Sequence, residues 1–207
     1  MKAQFSKRCF AYIIDVFIVL VLSSLITGLI PISEKAQNLT ETLNDVVNKT
    51  TEKEISITEY NKLLKDINYD LSKETIMTSL ITIVIYLLYF VVLPMYNNNQ
   101  TFGKKLMKLE LKTLDGGKPT INNLLFRALI LYGLADNLIG LILIMFLKKP
   151  IYINVTSVLN TFQTSIIVIS IVMMIISKDG RGIHDLVGNT VVINKEEIKW
   201  ENYQNKN

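Results

Sequence analysis

The sequence predicts an all-α membrane protein with four transmembrane helices, both termini in the cytoplasm, and a small cytoplasmic β-ribbon. Three observations carry this prediction. Half of the 207 residues are hydrophobic, and the mean hydropathy of +0.34 is high for a soluble domain of this size. The apolar residues gather in four blocks, 9–30, 75–96, 124–147 and 157–177. Each reaches the roughly 20 helical residues that cross a hydrocarbon core about 30 Å thick. Lysine and arginine, the third observation, are unevenly placed between the blocks.

The first block follows Lys2, Lys7 and Arg8. It runs on to Ile30 with no small-residue cleavage pattern, so it is expected to span the membrane and not to act as a cleaved signal. The loop 31–74 is net acidic and is placed outside. Leu63, Leu64, Ile67 and Leu71 recur there at helical spacing, which predicts a short helix extending the second block outward. The loop 97–123 holds Lys104, Lys105, Lys108, Lys112 and Lys118 against Glu110 and Asp115, which places it in the cytoplasm together with the tail 178–207. Lys148 and Lys149 fall on the outer side and run against this bias. One membrane domain fills the chain, located in the inner or plasma membrane, and the Ile, Lys and Asn bias suits a bacterium.

Leu109 and Leu111 alternate with Lys108, Glu110 and Lys112, and Val191, Val192 and Ile193 are β-branched. Pairing of 107–113 with 189–194 is therefore expected. Setting 101–112 over 182–193 also aligns Phe102 with Ile183 and Leu106 with Val187, as an internal repeat would.

Charges inside apolar blocks are costly, about 2.5–3.5 kcal/mol each at mid-helix, and need a partner. Asp15 lies seven residues after Arg8. The two share a helix face but stand roughly 10 Å apart along the axis, too far for an ion pair within one helix. Asp136, with Asn137, falls midway through the third block, while Arg127 points to another side of that helix. Asp15, Asp136 and Asn137 are the candidate ion or proton site, with Tyr86 and Tyr89 as hydroxyl partners. His184 beside Asp185 lacks a nucleophile, so no enzyme is expected and the histidine reads as structural. The single cysteine, Cys9, excludes an intramolecular disulfide, and with one histidine it excludes a Cys/His zinc set. No metal, cofactor or nucleic-acid partner is expected.

Several motifs resemble the RDD family of membrane proteins, named for one arginine and two aspartates. Arg8 matches the arginine that opens the first helix, Asp15 the aspartate within it, and Asp185 in "GRGIHD" the aspartate after the last helix. "QTFGKKLMKLEL" and "RALILYGLAD" resemble further family segments. The resemblance implies a transport role, with cation–proton exchange among the proposals. The expectation is thus a transporter or transporter component, acting on a monovalent cation or proton and assembling as a homo-oligomer in the bilayer. The alternative is a scaffold or assembly factor whose charges only fix helix packing. Either way, Arg8 and Asp185 are expected to pair at the inner end of the first helix.

Overall fold

The computed structural model describes residues 3–195. Lys2 and the tail beyond 195 lie outside the described residues. Helix α1 (Phe5–Thr27) is followed by α2 (Glu34–Thr51) and α3 (Ile57–Glu74). Serines start both later helices. Ser33 Oγ accepts from Ala36 N at 3.1 Å and Ser56 Oγ from Glu59 N at 3.2 Å. The two helices pack together, so the segment expected as a loop with one short helix is a helical hairpin. Its first helix escapes detection because only Ala36 and Val46 are buried along it; the apolar stripe is too narrow.

The second apolar block forms α4 (Ile76–Leu87), one π-helical turn (Leu88–Val92) and α5 (Leu93–Tyr96). The widened turn precedes Pro94, which has no N–H to donate. After α6 (Phe102–Leu106) and strand β1 (Leu109–Thr113), the third block divides into α7 (Ile121–Leu131) and α8 (Leu134–Phe146), bent by 73°. Helix α9 (Lys149–Ile176), α10 (Ile183–Val187) and strand β2 (Thr190–Asn194) complete the order.

Three helical segments, Phe5–Thr27, Ile76–Tyr96 and Lys149–Ile176, are long and apolar enough to cross a membrane. The bent α7–α8 pair makes up to a fourth. Phe10, Phe17, Leu25, Phe162 and Ile176 are exposed on their surfaces, the pattern of helices facing lipid.

The bend is a difference from the single straight span expected at 124–147. Its cause is Gly133, whose φ of 65° ends one helix and starts the next. The polar groups freed there find partners. Gln163 Nε2 donates to Ile130 O at 2.8 Å, and Asn137 Nδ2 to Gly133 O at 3.0 Å. A broken helix survives inside apolar surroundings only when such groups are re-satisfied.

Strands β1 and β2 pair antiparallel with Leu111 opposite Val192, the pairing that the alternation predicts. Leu109, Leu111 and Val192 join the core with Val19, Tyr89 and Leu124. At the other end of the molecule, Lys149 Nζ lies 2.8 Å from Asp70 Oδ2 and 3.4 Å from Asp66 Oδ1 on α3. Lys149, one of the two lysines that run against the charge bias, is therefore neutralised locally.

We expect Gly133→Ala to lower the unfolding midpoint in detergent, since a left-handed alanine costs roughly 1–2 kcal/mol. Gly140, which is helical with open space around its Cα, is the control: Gly140→Ala should be neutral or slightly stabilising. Equal behaviour of the two variants would argue against the bend.

Candidate functional site

Asp185 sits at the centre of the sheet side of the molecule and exposes no surface. Helix α10 is one short turn that turns its carboxylate inward. Arg127 of α7 pairs with Oδ1, Arg8 of α1 pairs with Oδ2, and Gly182 N donates to Oδ2 at 3.1 Å. The expected Arg8–Asp185 pair is present, and Arg127 is the neighbour that sequence inspection left unassigned. The guanidiniums are held in turn. Arg8 also donates to Gly180 O, and Arg127 lies 3.3 Å from Thr190 Oγ1. Arg181 donates to Thr190 O at 3.1 Å and to Asp185 O at 3.3 Å, closing the ring around α10 and β2.

His184 is buried beside this cluster. Its Nδ1 lies 2.8 Å from Ser170 Oγ, which also accepts from Ile183 N at 3.0 Å. Its Nε2 lies 3.4 Å from both Asp185 Oδ2 and the Arg8 guanidinium. Burial, reinforced by Arg127, Arg8 and Lys104, drives the imidazole pKa well below its ordinary value, so the ring is neutral at pH 7. It fills a structural place between α9 and α10.

Asp15 is equally buried but differently answered. Tyr89 Oη donates to Oδ1 at 2.8 Å, Gly103 N donates to the same oxygen at 2.7 Å, and Thr101 Oγ1 donates to Oδ2. The carboxylate clamps the first turn of α6 against α1. Residue 103 has no room for a side chain: a Cβ there would lie 2.2 Å from Ala11 O and 2.8 Å from Asp15 Cγ. Tyr89 was expected as a partner for a buried carboxylate. Thr101 and Gly103 were not, although "QTFGKK" carries a capping threonine two residues before a glycine.

Lys104 follows in the same turn, 9% exposed. Its ammonium has no hydrogen-bonded or ion-paired partner among the described residues. Burial, with Arg127 and Arg8 nearby and Asp15 only partly opposing them, lowers its pKa from 10.5 to about 7. Arg127 Nε is also buried without a partner. Arg8, Arg127 and Lys104 thus outnumber Asp15 and Asp185, three to two. Arg8, Arg127, Lys104 and Asp15 line one cavity of about 270 Å³, whose remaining walls are mostly apolar, and Asp185 lies behind the two arginines.

Asp136 lies elsewhere. The bend at Gly133 carries it to a second cavity, of about 390 Å³, on the side of the α2–α3 hairpin. Thr78, Thr82, Tyr86, Asn137, Thr156 and Asn160 line it too. The Asp136 carboxylate has no hydrogen bond or ion pair among the described residues, while Asn137 spends its amide hydrogens on Gly133 O. Asp15 and Asp136 therefore do not share a site. Tyr86 faces the cavity of Asp136, and Tyr89 binds Asp15. Between the cavities stand stacked rings: Tyr12 on Tyr132 at 5.7 Å, Phe90 on Tyr132, and Tyr86 tilted on Phe90 at 5.6 Å.

Apolar helices around a buried arginine–aspartate cluster define a membrane protein. The RDD family model matches residues 2–189, and the chain belongs to the RDD family. No curated protein and no solved structure matches it.

Two measurements test the cluster. Asp185→Ala strands two buried guanidiniums and should cost about 3–5 kcal/mol of folding stability. Arg8→Ala should cost less, and the double variant less than the sum of the two; strict additivity would disprove the pairing. The second concerns Lys104. Between about 7 and 10.5 the unfolded chain holds a proton on this lysine that the folded protein has shed. Its contribution to stability therefore rises with pH across that window. In delipidated protein, Lys104→Met should be more stable than wild type below pH 7. The difference in melting temperature should shrink as pH rises toward 10, and a pH-independent difference would contradict the burial of a charge.

Proposed function

We propose that the protein is a transporter or transporter component that takes up a monovalent cation or proton at Asp136. One observation carries this reading: a carboxylate without a partner lines a polar cavity. Oxygen donors surround it, from Thr82, Tyr86, Thr156 and Asn160, and hard monovalent cations favour oxygen. Asp136 also lies beside the break between α7 and α8, and discontinuous helices line the ion sites of secondary transporters. The reading involves no enzymatic step.

Lysine placement in 97–123 supports an orientation with both termini and the sheet in the cytoplasm, and hence the Asp136 cavity facing outward, in a bacterial cell membrane. Only Ser170 is buried along helix α9, which suits a homo-oligomer in the bilayer. The scaffold alternative draws on Asp15 and Asp185, whose oxygens are all engaged within the chain. We assign those two to architecture and Asp136 to ion handling.

The test is reconstitution in sealed vesicles under imposed Na⁺ or K⁺ gradients. Wild type should move protons against the cation, and Asp136→Asn should abolish that movement while leaving the unfolding midpoint close to wild type. Asp15→Asn should instead lower the yield of folded protein. Absence of flux in wild type would overturn the reading.

A further inference from the structure

The sheet-side cavity is built unlike the one at Asp136. It lies between α1 and α9, with α7 behind it, and α10 and the sheet close one end. Its basic groups lie at that end: Arg8 in the second turn of α1, Arg127 in the second turn of α7, and Lys104 on α6. Farther from the sheet the walls are mainly apolar, with Ile13 from α1, Ile130 and Leu131 from α7 and Ile167 from α9, and the one carboxylate there, Asp15, is fully hydrogen-bonded. Helices α1 and α7 thus each place a cation near the sheet and apolar side chains farther in, and α9 adds an apolar wall. The cavity also opens sideways, because Tyr12, Ile13 and Ile171 on its two flanks are substantially exposed.

Within this cavity charge is unbalanced. Asp185 is consumed by two arginines and Asp15 by three donors, so neither carboxylate offers Lys104 a hydrogen bond. Among the described residues Arg127 Nε is buried without a partner, and the Lys104 ammonium, on a residue only 9% exposed, has no hydrogen-bonded or ion-paired partner. A buried unpaired charge is expensive, and an acceptor entering the crevice would relieve it. Two guanidiniums and the Lys104 amine at this end favour an anion over a cation. A free inorganic anion would leave the apolar walls uncovered.

We propose that this crevice binds an anionic phospholipid from the adjoining leaflet. Its phosphate would lie against Lys104 and the two guanidiniums, and one acyl chain would run between Ile13 and Ile171. Basic pockets between membrane helices are suited to such headgroups. Lateral opening admits a lipid without passage through water. The site does not depend on cation transport at Asp136, and lies on the other side of the aromatic layer.

The experiment is native mass spectrometry of the full-length protein in dodecyl maltoside, titrated with dioleoyl phosphatidylglycerol or dioleoyl phosphatidylcholine. Wild type should retain phosphatidylglycerol preferentially. Lys104→Met removes one basic contact and should weaken phosphatidylglycerol binding roughly fivefold, with phosphatidylcholine binding little changed. Met174→Trp, which fills part of the crevice, should weaken retention of phosphatidylglycerol with every charge still in place. Equal retention of the two lipids by wild type would overturn the proposal. So would unaltered phosphatidylglycerol binding in both variants. Displacement of the lipid by millimolar inorganic phosphate would overturn it in favour of a free-anion site.

Discussion

Apolar helices in lipid have no hydrophobic force that fixes their register, since a lipid tail is as good a neighbour as a leucine. Polar contacts must do it, and here the principal one is the Asp185 carboxylate shared by Arg8 and Arg127. It gathers the start, middle and end of the chain at one point, across sequence separations of 177 and 58 residues. The geometry is fully determined because each oxygen has its own guanidinium. Removing the carboxylate would free α1, α7 and α10 from one another at once. The strand pairing depends on it as well, because Arg127 and Arg181 reach from this cluster to Thr190 at the start of β2.

The sheet end also has an internal order. A five-residue helix, Phe102–Leu106, is followed by Lys108 at φ 57° and strand β1. A second five-residue helix, Ile183–Val187, is followed by Asn189 at φ 49° and strand β2. The left-handed residue falls at the same place in both units, and the alignment of 101–112 with 182–193 superposes them element for element. In that alignment Lys104 stands where Asp185 stands. The second unit therefore offers the core an anion, which two arginines answer. The first offers a cation with no carboxylate left for it, and its place in the fold is secured by Asp15 on the neighbouring glycine amide.

Much of this was legible in the sequence, and the rest fails for identifiable reasons. Block length showed the apolar helices, because nothing else accounts for four runs of such length. Period-two alternation and β-branching located the strands. Arg8 and Asp185 were matched because both are charges at the same expected interface that need an opposite. The bend at Gly133 was not seen. A glycine inside an apolar run resembles a close-packing residue, and only its left-handed φ distinguishes a break. That error moved Asp136 to mid-span and made it appear to share a site with Asp15. Thr101 and Gly103 were overlooked as partners of Asp15 because they lie at the start of α6, 86 and 88 residues away, and a backbone amide leaves no mark in a residue pattern. Helix α2 was hidden by its polarity.

The two ends of the molecule are electrostatic opposites, and the break in the third apolar block is what separates them. On the hairpin side, α8 holds an unpaired carboxylate among hydroxyl and amide groups. On the sheet side, three cations face two carboxylates whose oxygens are all used. The rings of Tyr12, Tyr132, Phe90 and Tyr86 stand between. Under the proposed function, a cation at Asp136 would have a local attraction behind it and a positive field ahead, and in a low-dielectric interior that field is weakly screened. An anion seated against Lys104 would cancel the excess and lower the barrier. Under the two proposals made above, occupancy of the lipid crevice and ion movement from Asp136 are coupled through the field, with no need for the two cavities to join.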